Sequence, residues 1–380
     1  MLWLLFIVVF VFILFFIFKH ALYLPLNKAQ LSAFDFPIEP NLIQKEASDI
    51  HRAIEKFLQQ PDPSLNSLSK RERLLKLRKT MDDGGMRIEI PAKIIPVNCN
   101  YMAKAKESMA SKLQQAVRGE WVISPKVTNA TNVTHITKER RILYIHGGAF
   151  YLGSPQSHRI LTDKFSEISN AAVFSLDYRL RPEHSRLASL YDCKKAYLWL
   201  LENGPEGKSQ ASDIIIAGDS AGGNLCLSLL AWIRDEGHRV PQAAICISPV
   251  TDSTLSSPSI VKNLDKDAML QSGIKDLLKL SRTTLLIGGW FDNKVKLTDP
   301  RISPIFGDLA NLPPTLIQVS DTECLEDDAR RYTNKAREAG SEVTLQVWAN
   351  MMHVWHTFEP ELEEAKEAFT EIEKFIAQLK

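Results

Sequence analysis

The chain is read as an α/β protein: a mostly parallel sheet with helices on both faces. Three observations predict this. From residue 141 onward, strand patterns alternate with helix patterns. The strands are near-continuous apolar runs rather than one-in-one-out alternations, as in a sheet covered on both sides. A β-branched run, Ile214 to Ala217, enters a tight glycine turn, Gly218-Asp219-Ser220-Ala221-Gly222-Gly223, and an apolar helix pattern, Asn224 to Ile233, leaves it.

A length of 380 residues suits one large α/β domain with a lid, or two ordinary domains. The net charge of +1 gives no reason to expect a nucleic-acid partner. Cys99, Cys193, Cys226, Cys246 and Cys324 are scattered without metal-ligand spacing, so neither a metal site nor a disulfide scaffold is implied.

Met1 to Phe18 is wholly apolar and, extended by Ala21 to Leu24, reaches the length of a bilayer core. It lacks a basic leader and a cleavage site, and so reads as an uncleaved signal anchor over 1–24. Lys19 and Lys28 follow the span and favour a cytoplasmic body. The adjacent sequons at Asn129 and Asn132 favour the lumen and expect glycans there. The reading adopted is the lumenal one.

Ile43, Ala47, Ile50, Ile54 and Phe57 recur at helical spacing over Asn41 to Leu58, and Pro61 and Pro63 end the pattern. Ser69 to Met81 predicts a basic helix. Its cations form either a lipid-headgroup contact or, the favoured reading, a solvated face over an inward Leu74, Leu75 and Leu77. A strand is expected at Met86 to Ile90, a helix over Met102 to Val117, and strands at Glu120 to Ile123 and Arg141 to Ile145 joined as a hairpin by the sequon loop.

Then come strand Ala172 to Leu176, helix Leu187 to Leu201, strand Ile214 to Ala217, helix Ala221 to Asp235 and strand Ala243 to Ser248. Alternation lapses before Leu316 and resumes with strand Leu316 to Val319, helix Asp327 to Ala339, strand Val343 to Trp348 and helix Glu361 to Leu379. The chain thus divides into the anchor (1–24), N-terminal cap helices and first strand (25–118), core (119–250), a cap insertion (251–312) and the returning core (313–380).

Strand, sharp turn and helix around Ser220 make the context of a nucleophile elbow. Gly218 and Gly222 flank it because a side chain at either place would clash. The expected strand Arg141 to Ile145 ends in His146-Gly147-Gly148-Ala149-Phe150, whose glycines let backbone N–H groups approach a substrate. Gly147, Gly148 and Ala221 are the expected oxyanion donors.

Together with Asp177 to His184, Asp299 to Pro304 and Met351-Met352-His353-Val354-Trp355, these motifs resemble the hormone-sensitive lipase family of α/β-hydrolases. With its apolar N-terminus the chain is similar to the membrane-anchored arylacetamide deacetylase and steryl acetate hydrolase-like esterases of the endoplasmic reticulum. The resemblance implies an α/β-hydrolase fold with an eight-stranded sheet and a helical cap. It also implies hydrolysis of hydrophobic lipid, sterol or xenobiotic esters without metal or cofactor, at the endoplasmic-reticulum membrane.

It places the general base at His353, which fits the family segment, over the rival His356, which does not, and the acid in the loop after Val319. Glu323 stands where the family carries aspartate. Asp321 remains an alternative acid. The family's proline-rich stretch after His184 is here Ser185-Arg186-Leu187-Ala188. A catalytically inactive ligand-binding protein on the same fold is the alternative; Ser220, His353 and the Gly147-Gly148 pair argue for the enzyme.

Overall fold

A computed structural model describes residues 42–43, 47–60, 62–85, 88–100, 116–129, 140–280, 284, 288–289 and 294–379. The expected anchor over 1–24 and Asn132 lie outside the described residues.

In chain order the strands are β1 (Leu42–Ile43), β2 (Lys93–Cys99), β3 (Val117–Ile123), β4 (Arg140–Ile145), β5 (Ala172–Leu176), the small hairpin β6 (Asn203–Gly204) and β7 (Gly207–Lys208), β8 (Asp213–Asp219), β9 (Ala243–Ile247), β10 (Thr315–Ser320) and β11 (Val343–Trp348). The main sheet runs β1-β11-β10-β9-β8-β4-β5-β3-β2. It contains the eight strands expected and adds the two-residue β1 at one edge. All neighbours from β1 to β5 are parallel; β3 is antiparallel to β5 and to β2.

Three expectations fail here. Residues 42–43, expected in a helix over 41–58, pair with β11 as β1, and that helix begins at Asp49. The stretches flanking the sequons do not form a hairpin, because β3 pairs with β5 while β4 sits between β5 and β8. Residues 88–90 are not in a strand; the strand starts at Lys93 and tolerates Pro96 because it is the sheet edge. Residues 102–115 of the expected helix are outside the described residues, and Val117 opens β3.

The apolar strands bury both faces. Leu143 and Ile145 of β4 join one core with Trp121, Phe174, Leu225 and Tyr332. Ile142 and Tyr144, pointing the other way, join a second with Phe165, Ile215, Phe369 and Ile372. The covering helices are α4 (Arg159–Ser169), α5 (Arg186–Glu202), α6 (Ala221–Asp235), α9 (Glu326–Glu338) and α10 (Glu363–Gln378), counted after α1 (Asp49–Leu58), α2 (Lys70–Gly85) and the short α3 (Pro125–Asn129). Between β9 and β10 stand α7 (Ser259–Lys262) and α8 (Gln271–Leu278).

The N-terminal helices are fastened to the core. Ser48 caps α1 and also bonds Glu364 of α10 through its N–H and hydroxyl. A reciprocal Ser69–Glu72 capping box starts α2. On α2, Arg78 donates to the carbonyls of Tyr151 and Arg181 and pairs with Glu183. Arg78 is thus a docking bolt rather than part of a solvated face, and Leu75, expected inward, is 51% exposed.

β4 leads to β5 on one side, while its other neighbour, β8, leads to β9 on the opposite side. Strand order reverses between β4 and β8. An open α/β sheet forms its ligand crevice at the C-terminal strand ends beside such a reversal. The motifs read from the sequence follow these two strands.

Candidate active site

Ser220 joins β8 to α6 with φ 50° and ψ −114°, a backbone state that side chains rarely adopt. The crowding that holds it is severe: a Cβ on Gly222 would lie 1.8 Å from the Ile145 carbonyl oxygen, and one on Gly218 2.5 Å from it. Ile247 at the end of β9 accepts the Ser220 N–H at 2.8 Å, and Val250 donates back to its carbonyl at 3.3 Å. The turn is wedged between the ends of β4 and β9 and presents the hydroxyl at the crevice.

His353 follows β11, and its Nε2 lies 2.9 Å from Ser220 Oγ. Its Nδ1 lies 2.6 Å from Glu323 Oε2. The other Glu323 oxygen accepts from the Ser248 hydroxyl and from the Ser320 N–H, each at 2.8 Å. Burial pushes the Glu323 carboxyl up, partly offset by His353. Burial alone would lower the His353 imidazole, but the charge and hydrogen bond of Glu323 outweigh it and hold it above its ordinary value.

Asp321 is turned away: its Oδ1 accepts the Asn350 N–H at 2.8 Å. His356 bonds Gln318 at 2.7 Å, and burial drives it down to about 3. The acid loop is gripped by the segment after β9. Asn263 donates to the carbonyls of Asp321 and Glu323, each at 2.9 Å, and Asp267 accepts the Cys324 N–H at 2.8 Å.

The loop after β4 differs in one respect from expectation. The Gly147 N–H donates to Asp219 Oδ1 at 3.0 Å, so it is committed inside the protein and is not available to an oxyanion. Tyr144 donates to the same oxygen at 2.7 Å, and His158 stands 3.5 Å from the other. Burial works to raise the Asp219 carboxyl, yet His158 and Tyr144 bring it below its ordinary value. Gly147 has its own reason to be glycine, since a Cβ there would lie 2.1 Å from Asp219 Oδ2. The N–H groups of Gly148, Ala149 and Ala221 meet no acceptor among the described residues. Gly148 at φ 108°, Ala149 at 55° and Phe150 at 67° form a run of left-handed residues that shapes the loop.

Sequence reasoning passed over the function of Arg186. Its buried guanidinium lies 3.9 Å from the Phe150 ring centroid and donates to Asn224 Oδ1, Ser253 Oγ and the Ile302 carbonyl. It joins the loop after β4, helix α6 and the segment between β9 and β10. Its partners there are neutral, and burial pushes it down to about 9. The available signal was a cation standing in the expected proline-rich stretch.

A protein-family model described as an alpha/beta hydrolase fold matches residues 142–357, more than half of the chain. The chain belongs to this alpha/beta hydrolase family. An acetyl-hydrolase of Streptomyces hygroscopicus is 41% identical over 233 residues, 60% of this hydrolase and 72% of the relative. An esterase of Acinetobacter venetianus is 36% identical over 63% of this hydrolase and 75% of its own length.

Among solved structures, the esterase EstE5 soaked with p-nitrophenyl butyrate has 31% identity and a TM-score of 0.69, covering 88% of this hydrolase and 99% of EstE5. A hormone-sensitive lipase from a metagenome library has 27% identity and a TM-score of 0.69, covering 88% of this hydrolase and all of its counterpart.

The expected endoplasmic-reticulum location, with a lumenal body on a single membrane span, is corrected by these findings. The hydrolase's curated relatives include an acetyl-hydrolase of Streptomyces, an esterase of Acinetobacter and a carboxylesterase/phospholipase of Mycobacterium, all bacterial. Among the described residues, no helix is long and apolar enough to cross a membrane. Asn129 closes α3.

Proposed function

We propose that this carboxylic ester hydrolase cleaves hydrophobic esters through an acyl-enzyme on Ser220, with His353 as general base and Glu323 as the acid that orients it. One observation carries the reading: Oγ of Ser220, the two imidazole nitrogens of His353 and Oε2 of Glu323 form a continuous line of contacts of 2.9 and 2.6 Å. His353 Nε2 takes the hydroxyl proton as Oγ attacks the ester carbonyl, and Glu323 stabilises the imidazolium that results.

The oxyanion meets the N–H groups of Gly148, Ala149 and Ala221, at the start of α6, where the helix dipole adds to the field. His353 then protonates the departing alcohol, and water repeats the attack on the acyl-enzyme.

The relative named an acetyl-hydrolase and the butyrate ester soaked into EstE5 support small to medium acyl groups. The test is hydrolysis of p-nitrophenyl esters from acetyl to palmitoyl. The expected profile peaks at short or medium chains and vanishes in Ser220→Ala. Equal turnover by Ser220→Ala overturns the mechanism, and a maximum at palmitoyl overturns the acyl preference.

A further inference from the structure

We propose that Ser248 is a positioning residue of the catalytic relay, holding the Glu323 carboxylate in reach of His353. This inference rests on the triad reading above. Ser248 is the first residue beyond β9 and is fully buried. Its backbone is left-handed, φ 46°, a conformation that a serine keeps only where its surroundings hold it. Its N–H donates to the Gln318 carbonyl at 2.7 Å, fixing where the side chain starts. Its hydroxyl donates to Glu323 Oε1 at 2.8 Å. The Ser248 hydroxyl oxygen in turn accepts, at 3.4 Å, the N–H of Val354, the residue after His353.

The surroundings give the contact its meaning. Oε1 has two donors, and the other, the Ser320 N–H, lies at the end of β10, the strand from which the acid's own loop leaves. Ser248 therefore ties the carboxylate to a different strand. That strand is the one whose last residue, Ile247, accepts the Ser220 N–H, and two residues on from Ser248 Val250 returns a bond to Ser220. Thus the segment 247–250 touches the nucleophile through its backbone, the acid through a hydroxyl proton and the base loop through the same hydroxyl's oxygen.

A glutamate has one more rotatable bond than an aspartate, so its carboxylate needs an outside anchor to keep Oε2 on Nδ1. The single hydroxyl proton also sets the order of the network. Given to Glu323, it leaves the Ser248 oxygen as an acceptor toward Val354.

The experiment is a double-mutant cycle on kcat with a chromogenic ester, each variant first checked for a cooperative melt. Ser248→Ala is expected to lower kcat about tenfold to a hundredfold, the range for a hydrogen bond to a charged group, with KM little changed. Ser248→Gly, which accepts positive φ freely, should match it and separates the hydroxyl from backbone strain. In a Glu323→Gln background the same Ser248→Ala change should cost less than about threefold, because the amide that Ser248 still holds no longer orients His353 as a base.

An equal loss in both backgrounds means Ser248 does not act through Glu323; the inference falls while the triad reading stands. Unchanged kcat in both single Ser248 variants overturns it too. If Glu323→Gln alone keeps wild-type kcat, the triad assignment fails and takes the Ser248 role with it.

Discussion

Exchanging one oxygen of Glu323 for an amide tests the relay with almost no change of shape. In Glu323→Gln the amide has two orientations. With its oxygen in the Oε1 place it still accepts from Ser248 Oγ and Ser320 N–H, and its NH₂ then points at His353 Nδ1, 2.6 Å away in the native pair. Nδ1 must become an acceptor, so the ring proton moves to Nε2 and faces Ser220 Oγ: the wrong tautomer for a base. The flipped amide instead sets its NH₂ against two donors, losing two buried hydrogen bonds at about 1–3 kcal/mol each.

The first orientation therefore prevails. Replacing the triad acid of a serine protease by its amide loses about 10⁴ in kcat, or about 5.4 kcal/mol of barrier, with the geometry intact. A comparable loss is expected here, measured as kcat on p-nitrophenyl butyrate, with little change in melting temperature. Asp321→Asn keeps an acceptor for the Asn350 N–H and should leave kcat near wild type. The assignment is refuted if Asp321→Asn is the crippled variant and Glu323→Gln remains active.

Ser220→Ala should melt like the wild type yet lose both ester turnover and labelling by a fluorophosphonate, leaving only the residual rate that hole and binding provide. The acid limb of kcat/KM against pH should have its midpoint above the ordinary 6.5 of histidine, since activity needs neutral His353 and Glu323 holds its proton on. In Glu323→Gln that limb should move to lower pH, where burial alone puts it; an unmoved limb would assign it to another group. Gly222→Ala, whose Cβ would sit 1.8 Å from a backbone oxygen, should fail to yield soluble folded protein, and a normal melt would contradict the wedged elbow. Trp121→Ala should cost about 3–5 kcal/mol in chemical denaturation, because its ring is buried against Phe174 and Trp199 at centroid distances of 5.3 and 6.0 Å.

Legibility in the chain tracks locality. The main-sheet strands from β4 onward stand out because each is a short apolar run ending in a turn, whereas the polar hairpin β6–β7 has no such mark, and the elbow stands out because Gly218 to Gly223 is contiguous. His353 is marked by its neighbours, and Glu323 by standing where the family carries aspartate. The partner of β3 could not be read, since β5 lies some fifty residues away and pairing between distant strands leaves no local mark.

The use of the Gly147 N–H was hidden in the same way. A glycine pair announces close backbone approach, but only the fold shows that Asp219 occupies the first amide. Ser248 looked like a strand terminus, and its contact with Glu323 joins residues 75 positions apart. Arg186 was visible as a departure, yet its consequence needed the packing of Phe150 against it.

The grip of Asn263 and Asp267 on the acid loop bears on how far this enzyme can be rebuilt. Insertions on a hydrolase core invite exchange, one lid for another, to change what substrate is admitted. Here the exchangeable piece would carry away three hydrogen bonds that hold Asp321, Glu323 and Cys324 in place. Both side chains are almost wholly buried, Asn263 at 0% and Asp267 at 1%, so water does not take over those bonds unaided. A chimera cut at the sequence borders of the insertion alters the relay as well as the pocket. One that retains residues 259–267 and varies only the insertion beyond them separates the two.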